Sequence, residues 1–133
     1  MNYTDSQIRR MLARVDAKEM ARRAQLTVYH VYHYERTQRY APFKPHHEII
    51  LKHYYSKLPE VDHSLLFPVL SGKEIAAFRK QLNWSQKQLA QETGLHHITI
   101  SKIERSQENT VSEARMKITY CLRKKVKEKM QEM

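Results

Sequence analysis

Ser85 to Gln107, reading SQKQLAQETGLHHITISKIERSQ, breaks into two short amphipathic runs around one of the two glycines in the chain. Ser85 opens the first run, Gln86 to Glu92, with Gln88 three residues later. That is capping-box spacing, in which each side chain satisfies a free amide of the other residue. Gly94 follows, and only glycine takes a left-handed backbone at little steric cost, so the first helix ends there. In the second run Ile100 and Ile103 share one face, and Glu104 and Arg105 close it. The stretch is thereby restricted to two short helices set at a steep angle by a tight turn.

Two helices so joined make a helix-turn-helix, whose second helix can enter the major groove of DNA. The ordered set Ser85-Gln86, Leu89-Ala90, Gly94, Leu95, Ile100 and Ile103-Glu104-Arg105 resembles the phage-repressor/Cro-like (xenobiotic-response-element type) helix-turn-helix family. The resemblance covers about the second half of the chain. His96 departs from it, because the family commonly starts the recognition helix with Ser or Thr, and a weaker cap is expected there.

Charge points the same way. Lys and Arg number 24 against 14 Asp and Glu, a formal +10 in 133 residues, which suits a polyanionic partner. Attraction to a membrane surface or simple solubility are the alternatives charge alone leaves. Two glycines and four prolines favour helices with short connections over a turn-rich sheet. Cys121 is the single cysteine, so an intrachain disulfide is excluded. It lies in an apolar run with Ile118, Tyr120 and Leu122, as a buried inert thiol more than a redox sensor. No apolar stretch has the length of a membrane span and the N-terminus has no signal-peptide core. A soluble cytoplasmic protein with no membrane partner is expected; the resemblance implies a bacterial or phage-encoded, nucleoid-associated one.

Taken in order, Ile8, Met11, Leu12 and Val15 recur at helical spacing and predict a first helix over about Asp5 to Arg14. Asp16 with Glu19 reads as an acidic capping box for a helix over Ala17 to Ala24, and Thr27 as the cap of one over Val28 to Arg36. Lys18 to Gln38 then lies over Lys87 to Gln107 without a gap. Lys18, Ala21, Leu26, Glu35, Arg36 and Gln38 match Lys87, Ala90, Leu95, Glu104, Arg105 and Gln107, while Met20, Val31 and Tyr34 match Leu89, Ile100 and Ile103 in apolar character. A duplication accounts for matches at core and closing positions, against chance similarity of amphipathic helices. The first copy has Gln25 where the second has Gly94, so a left-handed or modified turn is required of a non-glycine residue.

After the first copy, Tyr40 to Pro45 is a proline-punctuated loop, followed by a helix over about His46 to Lys57 with Ile49, Ile50, Tyr54 and Leu58 facing a small core. Pro59 and Pro68 bracket a connector whose Leu65, Leu66, Phe67, Val69 and Leu70 are apolar enough to pack on one or both lobes. Ile75, Phe78 and Leu82 point inward from the helix after Ser71 or Gly72, and Trp84 plugs the base of that lobe. Val111, Met116, Ile118 and Leu122 suggest one or two further helices. Val126, Met130 and Met133 continue the line of Leu122, as a dimer seam or as a frayed, solvated end.

The expected architecture is all-α: two small helix-turn-helix (lambda-repressor-like) lobes, 1–58 and 72–133, joined by a connector over 59–71, with a C-terminal helix. Helical phase turns His97, Ile98, Ser101 and Lys102 outward. The resemblance implies that His97, Ile98 and Lys102 read bases, with Thr99 nearby, and that Gln86 and Arg105 anchor the DNA backbone. Glu104 is expected to pair internally, with Arg79 the candidate. The matching positions of the first copy are Val28, Tyr29, His30, Tyr32, His33 and Arg36, flanked by Arg22, Arg23 and Arg39. Their aromatic and basic mixture suits DNA, which is the favoured reading, and also a protein interface, the reading of a degenerate lobe used for docking. Four histidines on the two recognition helices predict affinity for a polyanion that rises as they protonate below about pH 6.5.

His30 with His33 and His46 with His47 lack the cysteines or acids that would complete a four-ligand set, so no metal is expected. Neither a Gly-rich phosphate loop nor a nucleophile with its base appears, which argues against an enzyme. No cofactor and no small-molecule effector are indicated. The function expected is a sequence-specific double-stranded DNA-binding transcriptional regulator, a repressor by the family's commonest mode. It would bind an operator as a two-lobed chain or as a homodimer through the C-terminal helix or connector. The rival is a protein-interaction module, an antitoxin or adaptor.

Overall fold

The computed structural model describes residues 3–36, 43–107 and 111–132. Among them the protein is all-helical, with nine helices and no strand. The chain divides into two compact units, Met1–Val61 and Asp62–Met133.

Unit 1 holds α1 (Asp5–Leu12), α2 (Ala17–Ala24), α3 (Val28–Tyr34) and α4 (Pro45–Ser56). Each of the first three starts on a side-chain acceptor: Thr4 takes the Gln7 N–H at 3.2 Å, Asp16 the Glu19 N–H at 2.7 Å, and Thr27 the His30 N–H at 3.3 Å. Pro45 sits at the first position of α4, where a missing N–H costs nothing. α1 ends at Leu12, two residues short of expectation, because Arg14 turns left-handed at φ 62° and the Val15 N–H closes back on the Arg10 carbonyl at 3.2 Å. Gln25 also takes the left-handed backbone, at φ 56°, as its alignment with Gly94 requires.

The core of unit 1 gathers Val15, Ala17, Met20, Ala21, Ala24, Val31, Leu51, Tyr55 and Leu58. α4 contributes Leu51 and Tyr55, both buried, while Ile49 stands 69% exposed against expectation. Ile50 and Tyr54 pack at the edge of that core. The register follows from Tyr55, whose hydroxyl donates to Glu35 inside the unit.

Unit 2 holds α5 (His63–Leu66), α6 (Gly72–Gln81), α7 (Gln86–Thr93), α8 (His97–Arg105) and α9 (Glu113–Gln131). Its core is Leu70, Ile75, Leu82, Leu89, Ile100, Ile118 and Leu122, with Phe78, Trp84, Leu95, Ile103 and the half-buried Cys121 packed around it. A reciprocal capping box opens α6: Ser71 Oγ takes the Glu74 N–H at 3.2 Å and Glu74 takes the Ser71 N–H at 3.0 Å. At α7 only half of the expected box forms. Ser85 Oγ accepts the Gln88 N–H at 3.0 Å, but the Gln88 side chain turns to Glu92 at 3.3 Å.

α9 is one continuous helix, and it ties down the segment before α6. The buried Thr119 hydroxyl accepts the Leu70 N–H at 3.1 Å, and Arg115 donates from Nη2 to the Leu70 carbonyl at 2.7 Å. α5 packs on α9, and Arg123 Nη1 reaches the Leu65 carbonyl at 3.3 Å. Of the stripe along the tail, Val126 packs on the core and Met130 is 69% exposed; Met133 lies outside the described residues.

Candidate nucleic-acid interface

α8 is held from its inner side. Ile100 is fully buried and Ile103 packs against the core. Arg79 on α6 donates from Nε to Glu104 Oε2 at 2.7 Å and from Nη2 to Oε1 at 2.9 Å, while its Nη1 donates to the Trp84 carbonyl at 2.8 Å. One guanidinium thus fastens the last turn of α8 and the entry to α7 to α6. The hydrogen bonds to Glu104 outweigh desolvation and raise the pKa of Arg79 above its ordinary value.

The opposite face of α8 is open. His97, Ile98 and Lys102 are exposed, Ile98 by 50%, and Arg105 is exposed at the helix end with its Nε on the Ser101 carbonyl at 3.2 Å. Thr99 and Ser101 are half-buried at the margins of that face. Gln86, expected on a phosphate, directs Nε2 to Glu104 Oε1 at 3.2 Å and joins the internal fastening. Its backbone still opens α7, where free amides and the helix dipole favour an anion. His96 caps α8 after all: its Nδ1 accepts the Ile98 N–H at 3.2 Å.

Residues 75–118 match a family model described as helix-turn-helix.

The match runs from α6 into α9 and so takes in the fastening, both helices of the motif and the open face of α8. No curated protein and no solved structure matches the chain. The helix-turn-helix match leaves unit 1 uncovered, yet unit 1 repeats its fastening. Arg10 donates from Nε to Glu35 Oε2 at 2.6 Å, from Nη2 to Oε1 at 3.1 Å, and from Nη1 to the Val15 carbonyl at 3.0 Å. Arg10, Val15 and Glu35 each stand as far before Arg79, Trp84 and Glu104 as Gln25 stands before Gly94. Sequence reasoning paired Arg79 with Glu104 but missed Arg10, which the same alignment identifies. Burial, then the Glu35 carboxylate, holds the Tyr55 phenol protonated well above its ordinary range.

The face of α3 differs from that of α8. Val28 and Tyr32, expected outward, are half-buried and pack against the core. His33 stacks on Phe43 at 4.3 Å between centroids, and His30 lies 4.1 Å from His47. Phe43 and His47 thus cover what periodicity leaves open; of the loop expected over Tyr40 to Pro45, residues 40–42 lie outside the described residues. Tyr29, 52% exposed, and Arg36 remain at the surface. Arg22 and Arg23 are exposed on α2, each bonded to Glu19, and Arg39 lies outside the described residues. Among the described residues no group of three or more His, Cys, Asp or Glu is placed to hold a metal ion, and no helix is long and apolar enough to cross a membrane.

Proposed function

We propose that the chain is a sequence-specific double-stranded DNA-binding transcriptional regulator, acting as a repressor, with α8 as its principal recognition helix. The observation that carries this is the two-sidedness of α8: Ile100 fully buried on one side, and His97, Ile98 and Lys102 presented on the other. Lys102 supplies a donor for guanine O6 or N7, His97 a donor for guanine or phosphate, and Ile98 an apolar contact for a thymine methyl. Thr99 and Ser101 border the groove floor, while Arg105 and the start of α7 at Gln86 meet the backbone. A formal charge of +10 supplies the salt-dependent attraction such binding needs.

Unit 1 is read as a second, divergent copy of the motif, supported by the repeated guanidinium fastening and by the left-handed residues Gln25 and Gly94 at matching positions. Two copies in one chain would meet unlike half-sites, and pairing of chains through α9 or the connector would demand a palindrome. Selection of bound sequences from random duplex DNA tests the function and returns the half-site spacing. Recovery of no enriched sequence would count against it.

Docking of a protein on unit 1 has one observation in its favour, the cover that Phe43 and His47 place over α3. Tyr29 and Arg36 at the remaining surface are residue types enriched at protein interfaces. Tyr29→Ala that abolishes capture of a partner while sparing DNA affinity would assign unit 1 to that role.

A further inference from the structure

Among the described residues, three helix starts have a backbone amide bonded to a histidine ring nitrogen. The Ile98 N–H at the start of α8 donates to His96 Nδ1 at 3.2 Å. Ahead of α3 the Thr27 N–H donates to His30 Nδ1 at 3.1 Å, and ahead of α4 the Lys44 N–H donates to His47 Nδ1 at 3.1 Å. In every case the donor is a backbone amide, so the ring nitrogen is the acceptor, which places the ring proton on Nε2. An imidazolium has no such acceptor. It would also set a positive charge against the positive end of the helix dipole. The commoner caps, Ser, Thr, Asn and Asp, do not change state near neutral pH.

The rings sit among cationic groups, other histidines and, beside α3 and α4, carboxylates. His96 stacks on His97 at 4.6 Å between centroids, and Lys87 and Gln91 of α7 line the same groove. His30 faces His47 at 4.1 Å, His47 faces His46 at 4.2 Å, and Lys44 precedes them. His33 and Arg36 line the adjoining cavity together with the acids Asp5, Glu35 and Glu48, of which Glu35 is paired with Arg10. Desolvation, then the charges of His30, His46 and Lys44, lower the pKa of His47 from its ordinary value.

We propose that His30, His47 and His96 make a pH-sensitive set of helix starts, closed while the rings are neutral and opened when they are protonated. Unfolded histidine takes its proton near pH 6.5 and His47 is held below its ordinary value, so its hydrogen bond to the Lys44 amide contributes fully above about that pH and progressively less as the pH falls. Charge alone gives the opposite sign for DNA, since protonated histidines attract a polyanion. Loss of the first turn of α8, which carries His97 and Ile98, acts against that attraction. This consequence for DNA rests on the function proposed above; the caps themselves do not.

The test uses the full chain and His96→Ser, which keeps an acceptor that does not titrate. From about pH 7.5 to about pH 5.5 the unfolding equilibrium constant of His96→Ser should fall about fivefold relative to that of the native chain, the worth of one lost cap. A ratio unchanged with pH overturns the proposal. Nitrogen NMR of the native rings needs no variant: at about pH 7.5 His96 should show Nδ1 unprotonated and Nε2 protonated, and the reverse tautomer overturns the proposal. Neither readout uses DNA, so a chain that binds no duplex fails the proposed function and leaves the caps to be judged on these measurements.

Discussion

Arg79 and Glu104 meet as a bidentate pair with side chains only 12% and 7% exposed, and the same guanidinium holds the Trp84 carbonyl. Removing either partner strands the other in a poorly hydrated place. Arg79→Ala or Glu104→Gln should lower the unfolding free energy of unit 2 by about 3 kcal/mol, and the paired change Arg79→Met with Glu104→Leu should recover most of it. Urea unfolding followed by the fluorescence of Trp84, the single tryptophan, makes the comparison.

Gly72 opens α6 against the end of α8. A Cβ there would collide with the Ile103 carbonyl oxygen and lie 3.0 and 3.1 Å from those of Ser106 and Glu104. All three are backbone atoms and cannot rotate away. Gly72→Ala should cost about 2 kcal/mol or more and broaden the NMR signals of α8, whereas Lys73→Ala, next to it and exposed, should cost within about 0.5 kcal/mol.

Gln25 and Gly94 occupy matching left-handed turns at φ 56° and 74°. Glycine takes that backbone freely and glutamine does not. Gln25→Gly should stabilise unit 1 by about 0.5–1 kcal/mol, and Gly94→Ala should destabilise unit 2 by about 1 kcal/mol. Thermal unfolding of the two variants should move in opposite directions.

On DNA, Lys102→Ala and His97→Ala should each relax sequence preference by about 1–3 kcal/mol at the contacted base pair. Arg105→Ala should weaken all duplexes alike and reduce the slope of affinity against salt by about one unit. Titrations at several salt concentrations with a selected and a scrambled duplex separate the two behaviours.

Glu19 accepts from Arg22 at 2.6 Å and from Arg23 at 3.1 Å, and those hydrogen bonds hold its carboxyl down to about 2. A depressed carboxylate contributes above its unfolded pKa of about 4.3, and that contribution fades as the pH falls towards 2. The site is on the surface, so salt should shrink the effect. A carbon NMR titration should place Glu19 near 2 in the native chain and closer to an ordinary glutamate in Arg22→Ala.

Helix class and helix starts were legible because caps act over three or four residues: Asp16, Thr27, Ser85 and Gly94 all stand where periodicity and turn chemistry put them. The open face of α8 followed from helical phase for the same local reason. What escaped was settled across longer separations. Arg10 reaches Glu35 over 25 positions, and Tyr55 reaches the same carboxylate from α4, which rotates Ile49 out and Leu51 in. Helical phase does not give the face of α3, because its cover comes from Phe43 and His47, residues outside the helix that tertiary packing brings onto it. His96 was expected to be a poor cap because serine or threonine is usual there; a neutral ring nitrogen serves the same amide.

The guanidinium that fastens α8 grips it at Glu104, while the residues offered to a ligand sit on the other side of the same short rod. On the proposed function, support and specificity therefore share a helix but no side chain. If α8 reads DNA as proposed, exchanges at positions 97, 98 and 102 would redirect it to new target sequences with little penalty in folding, so a lineage carrying this scaffold would change what it recognises faster than it changes shape.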